Sequence, residues 1–218
     1  VTADNSQARR PVSARRSSWA IALAAWLARR RVRPNLISLV SLIAAVLAGI
    51  CLLGAGRSPT LASMILLLVA AGLIELRLLC NLLDGMVAIE GGLGGKQGPV
   101  FNELPDRISD AVILVCAGYF AGAPLWAGIG WCAAVLAVLT AYVRALAGSL
   151  GAHQDFGGPM AKQARMQVMT AACLAGAAIA PLGYTAPVLS AGLTIVVAGS
   201  ALTVARRTLH LALELETR

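Results

Sequence analysis

Acidic residues are scarce in this chain. Ten Asp and Glu stand against eighteen Lys and Arg among 218 residues, and the charged fraction is only 13%. A soluble domain carries about twice that fraction, so an ordinary water-soluble fold is excluded. Aromatic residues are few as well, at 5%, and no basic face interleaved with aromatics occurs away from the ends of the apolar runs. The net charge of +8 is therefore read as lipid-facing, and no nucleic-acid partner is expected. The two histidines, His153 and His210, stand alone and supply no histidine centre. The five cysteines (51, 80, 116, 132 and 173) lie in or beside apolar runs without metal-type spacing. They read as small packing residues, not as a disulfide framework. No coiled coil, internal repeat or separate soluble domain is evident.

What the chain has in quantity is uninterrupted apolar sequence. Uncharged stretches run over Pro34 to Gly56, Ser58 to Ile74, Ala111 to Val143 and Met166 to Ala205. A spanning helix needs about 20 apolar residues, so the first two stretches are single spans. The last two are too long for one helix each, and each is broken near its middle, by Gly122-Ala123-Pro124 and by Pro181-Leu182-Gly183-Tyr184. The expected fold is an all-α integral membrane protein of six transmembrane helices. Six spans put both termini on one side. Of the eighteen basic residues only Arg57 then falls outside, and eight arginines (9, 10, 15, 16, 29, 30, 31 and 33) precede the first span. The positive-inside rule places both termini in the cytoplasm, and the expected location is the cell's inner (cytoplasmic) membrane.

Residues 1–16 are polar and arginine-rich and read as a basic disordered tail. Residues 17–33 read as an N-terminal interfacial amphipathic helix, with Trp19, Ala22, Leu23, Trp26 and Leu27 on one face and arginines at both ends. A signal peptide fits less well, because the apolar run is short, ends in Ala-Arg-Arg-Arg and leads directly into a full span. Residues 34–218 form the six-span domain. Its spans cover about 36–54, 60–83, a hairpin over 105–147 and a second hairpin after an inner loop over 148–163.

Five of the ten acids, Asp84, Glu90, Glu103, Asp106 and Asp110, fall in one short segment. Asp106 and Asp110 are spaced i, i+4 and share a helix face. Asn81 and Asp84, spaced i, i+3, share another. If spans 2 and 3 are neighbours, these four side chains converge at the cytoplasmic surface as a hard oxygen site suited to Mg²⁺ or Mn²⁺. A helix-start preference for acids accounts for Asp106 but poorly for Asp110, which lies a further turn into an apolar span. The loop Gly91-Gly-Leu-Gly-Gly-Lys-Gln-Gly fails the phosphate-loop pattern, since Gln97 follows Lys96, and reads as a flexible connector. Arg144, Lys162 and Arg165 stand at the inner ends of spans 4 and 5. They are either positive-inside anchors or a binding site for phosphate.

Asn81-Leu-Leu-Asp84-Gly85-Met-Val-Ala88, followed by Asp106-Arg-Ile-Ser-Asp110, resembles the signature of the CDP-alcohol phosphotransferases, D-x2-D-G-x2-A-R and then G-x3-D-x3-D. Pro34-Asn35-Leu-Ile-Ser38, the helix before it and the segment from Arg144 to Arg165 are similar to further elements of that family. The resemblance covers nearly the whole chain. Three positions depart from it: Asn81 stands for the first aspartate, Ile89 for the arginine and Asn102 for the glycine. Asn81 keeps an oxygen but removes a charge, which Glu103 could restore, and Asn102 puts the contact with the cytidine nucleotide in question.

The resemblance implies metal-dependent transfer of a substituted phosphate, as a phosphatidyl group, from a CDP-linked lipid donor such as CDP-diacylglycerol to a small alcohol, with release of CMP, in phospholipid biosynthesis. It implies metal held by Asn81, Asp84, Asp106 and Asp110, with Asp110 as the catalytic base, and a site at the cytoplasmic face. Gly85 and Ala88 would let the donor approach span 2 closely. Arg144, Lys162 and Arg165 would hold the acceptor where it is phosphorylated. Membrane lipids are the expected surroundings. A homodimer is left open by the resemblance and by Gly118, Gly122, Gly128 and Gly130, small residues suited to close packing. Two alternatives stand beside the enzyme: a catalytically impaired relative acting as a lipid-binding or scaffolding membrane protein, and a small transporter. The transporter fits less well because the acids lie at the inner surface and not at the midplane.

Overall fold

The computed structural model describes residues 17–90 and 98–217. The basic tail over 1–16 and the glycine connector with Lys96 lie outside the described residues, as do the side chains of Glu90 and Asn102. Among the described residues the chain is helical, with seven α-helices, one short 3-10 turn and no strand. They are α1 (Ser18–Arg29), α2 (Pro34–Ala55), α3 (Thr60–Glu90), α4 (Gly98–Phe120), α5 (Pro124–Ser149), α6 (Lys162–Ile179) and α7 (Thr185–Glu216).

The breaks follow the local chemistry. Pro34 and Pro124 each begin a helix at a position where a missing N–H costs nothing. Gly122 and Gly183 take left-handed backbone angles, φ +70° and +79°, at the turns that close the two hairpins. α3 does not stop near residue 83. With no proline in its second half it continues through Asp84 to Glu90. At 31 residues it is about 46 Å long, longer than the hydrocarbon layer, so its last turns reach beyond the apolar core. α4 likewise starts at Gly98, earlier than the expected 105, and carries Pro105 inside it.

Among the described residues, five helices are long and apolar enough to cross a membrane: Pro34–Ala55, Thr60–Ile89, Pro124–Ser149, Lys162–Leu182 and Thr185–Glu216. The sixth expected span, α4, differs in composition. Glu103, Asp106, Arg107 and Asp110 crowd its first half, and its longest uncharged stretch runs only from Ala111 to Phe120.

α2 packs on both α3 and α4, α4 on α5, α3 on α6, and α7 on α5 and α6. The core between them is built of small and medium side chains, among them Ala45, Ala48, Leu52, Leu67, Ile74, Ile113, Leu114, Met169 and Leu193. The outward faces are apolar as well, with Ile43, Leu47, Ile50, Leu68, Val135 and Leu202 exposed. Apolar residues on both sides of the helices are the pattern of a bundle whose solvent is lipid. Gly118 and Gly130 bring α4 and α5 together inside one chain: a Cβ on Gly118 would lie 2.5 Å from the Trp126 carbonyl oxygen and 2.9 Å from Gly130 Cα. Their smallness therefore has an intrachain use. α1 lies on α3, burying Ala20 and Ala24 in a cluster with Ile37, Cys80, Leu83 and Val87. Trp19 and Trp26 face outward, the latter beneath the Arg30 guanidinium.

Candidate active site

Three buried carboxylates stand where α3 and α4 meet the start of α6. Helical spacing puts Arg77, Asn81 and Asp84 on one face of α3, and Asp106 and Asp110 on the facing side of α4. Asp84 is 4% exposed, Asp106 6% and Asp110 1%.

Asp110 is the deepest, and arginines take both its oxygens. Arg77 Nη2 donates to Oδ1 at 2.6 Å and Arg165 Nη2 to Oδ2 at 2.8 Å. Both arginines are fully buried. Arg77 also donates to the Asp106 carbonyl at 3.3 Å, while Arg165 reaches the Met160 carbonyl and the Thr140 hydroxyl at 2.9 and 3.1 Å. These are charge-assisted pairs with little solvent around them.

One turn nearer the surface, Asp106 accepts from the Asn81 amide on Oδ1 and from the Lys162 ammonium on Oδ2. The same ammonium donates to Asn81 Oδ1 at 2.6 Å. Asp84 is held differently. Its Oδ2 accepts from the Ser38 hydroxyl at 2.9 Å and its Oδ1 from the Gly85 N–H at 2.6 Å, and among the described residues no basic side chain forms an ion pair with it. Glu103, at the outer edge, pairs with Arg144 at 2.5 Å and Arg107 at 3.4 Å.

The expected residues thus separate into two layers. Asn81, Asp84, Asp106 and Lys162 form the outer one, with the Gly85 amide inside it and Ala88, half-buried, one turn further along α3. Asp110 and Arg165 form the inner one. Both oxygens of Asp110, expected as base and metal ligand, are held by guanidinium groups, and the residue is 1% exposed. Arg165 is turned into the bundle and does not present its charge to a substrate. Arg144 is tied to α4 through Glu103 and lies 5.2 Å over the Phe156 ring.

Two partners carry no role in the expected site. Arg77 has a clear sequence signal, since a charge inside an apolar helix needs a buried counter-charge. Ser38 has none beyond its place in Pro34-Asn35-Leu-Ile-Ser38. The two-layer arrangement also favours a second register for the signature. Gly98-x3-Asn102-x3-Asp106 fits G-x3-D-x3-D with the glycine kept, an asparagine at the third acidic position, and Asp106 as the last aspartate.

The donors that could take a divalent cation are therefore the oxygens of Asn81, Asp84 and Asp106. They are hard ligands of the kind Mg²⁺ and Mn²⁺ prefer, and the Lys162 ammonium already stands on two of them as a stand-in cation. Among the described residues no group of three or more His, Cys, Asp or Glu side chains is placed to hold a metal. The set is two carboxylates completed by an amide.

No family model matches the sequence, and no curated protein matches it significantly. Solved structures do match in fold. The Mycobacterium tuberculosis phosphatidylinositol phosphate synthase (PgsA1) with CDP-DAG bound superposes with a TM-score of 0.70 at 22% identity, over 89% of this chain and 94% of that one. The same synthase in complex with manganese and citrate gives 0.68 at 23% identity, over 88% of each chain. Its apo form gives 0.67 at 24% identity, over 87% of this chain and 94% of that one. The fold expected from the signature is thus the fold found, that of a mycobacterial CDP-alcohol phosphotransferase, phosphatidylinositol phosphate synthase.

Proposed function

We propose that this protein transfers a substituted phosphate, as a phosphatidyl group, from a CDP-linked lipid such as CDP-diacylglycerol to the hydroxyl of a small alcohol, releasing CMP. One observation carries the proposal. Asp84 and Asp106 are brought together with Asn81 and Lys162 at one end of the bundle, in a fold shared with a synthase solved with CDP-DAG and with manganese.

Asn81, Asp84 and Asp106 would hold a divalent ion, Mg²⁺ or Mn²⁺. Bound there, it would neutralise charge on the diphosphate. Asp106 is the carboxylate placed to accept the proton of the attacking hydroxyl: it reaches the outer layer, and no arginine holds both its oxygens. The hydroxyl oxygen then bonds to the lipid-bearing phosphorus, the bond from that phosphorus to the bridging oxygen breaks, and CMP leaves with the electron pair. Lys162 supplies a mobile positive charge beside the reacting phosphates. Arg77 and Arg165, through Asp110, fix α3, α4 and α6 so that the outer layer keeps its shape.

A cavity of about 240 Å³ lined by Arg144, His153, Asp155, Arg206, His210 and Glu214, among others, opens at the same end. Its arginines and carboxylates suit a small polar acceptor, and Arg144 links it to α4 through Glu103. α4 is proposed as the sixth span, its acids reaching the aqueous face, and α1 as a helix lying in the interface with Trp19 and Trp26 toward lipid. The positive-inside rule puts this face in the cytoplasm.

The impaired-relative reading has one observation in its favour: every oxygen of Asp106 and Asp110 already faces a protein donor. One assay separates the two. CMP release is measured from CDP-diacylglycerol in lipid with Mg²⁺ or Mn²⁺ and a panel of alcohols. Metal-dependent release that requires one alcohol and is lost in Asp106→Asn supports the enzyme. No release with any alcohol or CDP-linked donor supports the impaired relative.

A further inference from the structure

Lys162 holds an unusual place. It is the first residue of α6, and its ammonium lies against Asn81 Oδ1 and Asp106 Oδ2. These are two of the oxygens through which a divalent ion would be held on the reading above, on which this inference rests. The side chain is still 21% exposed, so it has a way out toward water. Its backbone is fixed, because the Ala161 carbonyl accepts the Arg165 N–H at 3.1 Å and the Met160 N–H donates to the Thr203 hydroxyl at 3.0 Å. A displaced ammonium therefore swings on a four-carbon stem and stays within a side chain's length of the site.

Charge makes the displacement selective. Asp84 and Asp106 bring two negative charges to the outer layer and Lys162 one positive. Arg77 lies 3.5 Å from Asp106 Oδ1 and Arg107 3.8 Å from its Oδ2. A divalent cation arriving alone would have to push the ammonium off two oxygens and leave it in a crowded basic neighbourhood, where the remaining outer carboxylate, Glu103, is already paired with Arg144 and Arg107. A divalent cation arriving with a diphosphate brings new anionic oxygens, and the released ammonium can pair with those. The ammonium and the metal are rivals when the site holds no diphosphate and allies when it does.

We propose that Lys162 is a displaceable resident cation that couples metal binding to diphosphate binding, holding the metal oxygens closed until a CDP-linked ligand arrives and then moving to its phosphates. Two ligands that each favour the same rearranged state bind cooperatively, and the coupling is reciprocal.

The test is Mn²⁺ binding to the purified full chain in lipid nanodiscs, followed by electron paramagnetic resonance with and without CDP. Wild type, Lys162→Met, Lys162→Arg and the double variant Asp84→Asn/Asp106→Asn are compared, with folding checked by thermal unfolding. The expected result has three parts. Wild type binds Mn²⁺ weakly alone and about ten-fold or more tightly with CDP. Lys162→Met binds Mn²⁺ tightly without CDP and gains little from it. Lys162→Arg keeps the wild-type coupling in direction. If Lys162→Met binds Mn²⁺ no better than wild type and shows the same gain with CDP, while the double aspartate variant loses binding, the coupling role is overturned and the metal site stands. If no variant binds Mn²⁺ even with CDP, the metal site itself is overturned, and this inference with it.

Discussion

Asp110 and Arg77 meet 2.6 Å apart, one side chain 1% exposed and the other wholly buried. With Arg165 on the opposite oxygen, this carboxylate joins α3, α4 and α6 at a single point. A buried ion pair contributes little net stability while intact, yet removing one partner strands a charge where water cannot reach it. Here the loss of Asp110 would strand Arg165 and leave Arg77 only the longer contact with Asp106, at 3.5 Å. Arg77 Nε and Nη1 and Arg165 Nε already lack partners among the described residues. Asp110→Asn should cost about 3–5 kcal/mol of stability, read as a lowered melting temperature in detergent. Asp110→Asn with an unchanged melting temperature and absent CMP release would instead return Asp110 to a chemical role.

Asp106 predicts the opposite division. Its hydrogen-bonded side-chain partners are an amide and a lysine near the surface, and the buried Arg77, 3.5 Å from its Oδ1, keeps Asp110, so Asp106→Asn leaves nothing charged stranded in the core. The fold should survive with its melting temperature close to wild type. CMP release should fall about a hundred- to ten-thousand-fold, the range of a lost general base. Equal activity in the variant and the wild type would remove Asp106 from the reaction.

The contrast shows how far the sequence reaches. Uncharged runs and their proline and glycine breaks predict every helix from α2 onward, because lipid solvent forces long apolar helices and leaves little else. The i, i+4 spacing of Asp106 and Asp110 puts both on one face, but spacing is blind to depth. One turn along α4 separates a carboxylate facing a lysine at the surface from one locked between arginines. What sets them apart in the fold is Arg77 on α3 and Arg165 on α6, more than eighty residues apart in sequence, which both pair with Asp110. The extension of α3 past Asp84 is not legible in the sequence for a simpler reason: hydropathy marks where a helix leaves the lipid, and not where it ends.

Gly118 and Gly72 give a matched pair for packing. An Ala methyl at 118 would meet the Trp126 carbonyl oxygen at 2.5 Å, and backbone cannot swing aside as a side chain can. Gly118→Ala should therefore destabilise by about 1–3 kcal/mol. At Gly72, within α3, nothing lies within 4 Å of the added methyl. Gly72→Ala removes only backbone freedom and should leave stability unchanged or raise it by about 0.5–1 kcal/mol. Thermal unfolding of the two variants side by side reads the difference. Equal behaviour would show that α4 and α5 can separate without cost.

The loop that lines the cavity beside Arg144 should respond to acid. Asp155 Oδ1 accepts the Gly157 N–H at 2.6 Å, and its other oxygen lies 3.3 Å from His210 Nδ1. Partial burial works to raise its pKa, but the Gly157 amide and the Arg207 and Arg206 guanidinium groups outweigh it and hold the carboxyl below its usual 3.8. A carboxyl whose pKa is lower in the folded state stabilises that state fully above its unfolded value, and the contribution fades as pH falls through the folded one. The melting-temperature gap between wild type and Asp155→Asn should thus be constant above about pH 5 and shrink below it. Because Asp155 and Arg144 line the same cavity, Asp155→Asn at neutral pH should also raise the KM for the acceptor alcohol more than that for the lipid donor. A gap that stays constant into acid would mean the ionised carboxylate does not hold the loop. A KM effect confined to the donor would place the cavity on the wrong substrate.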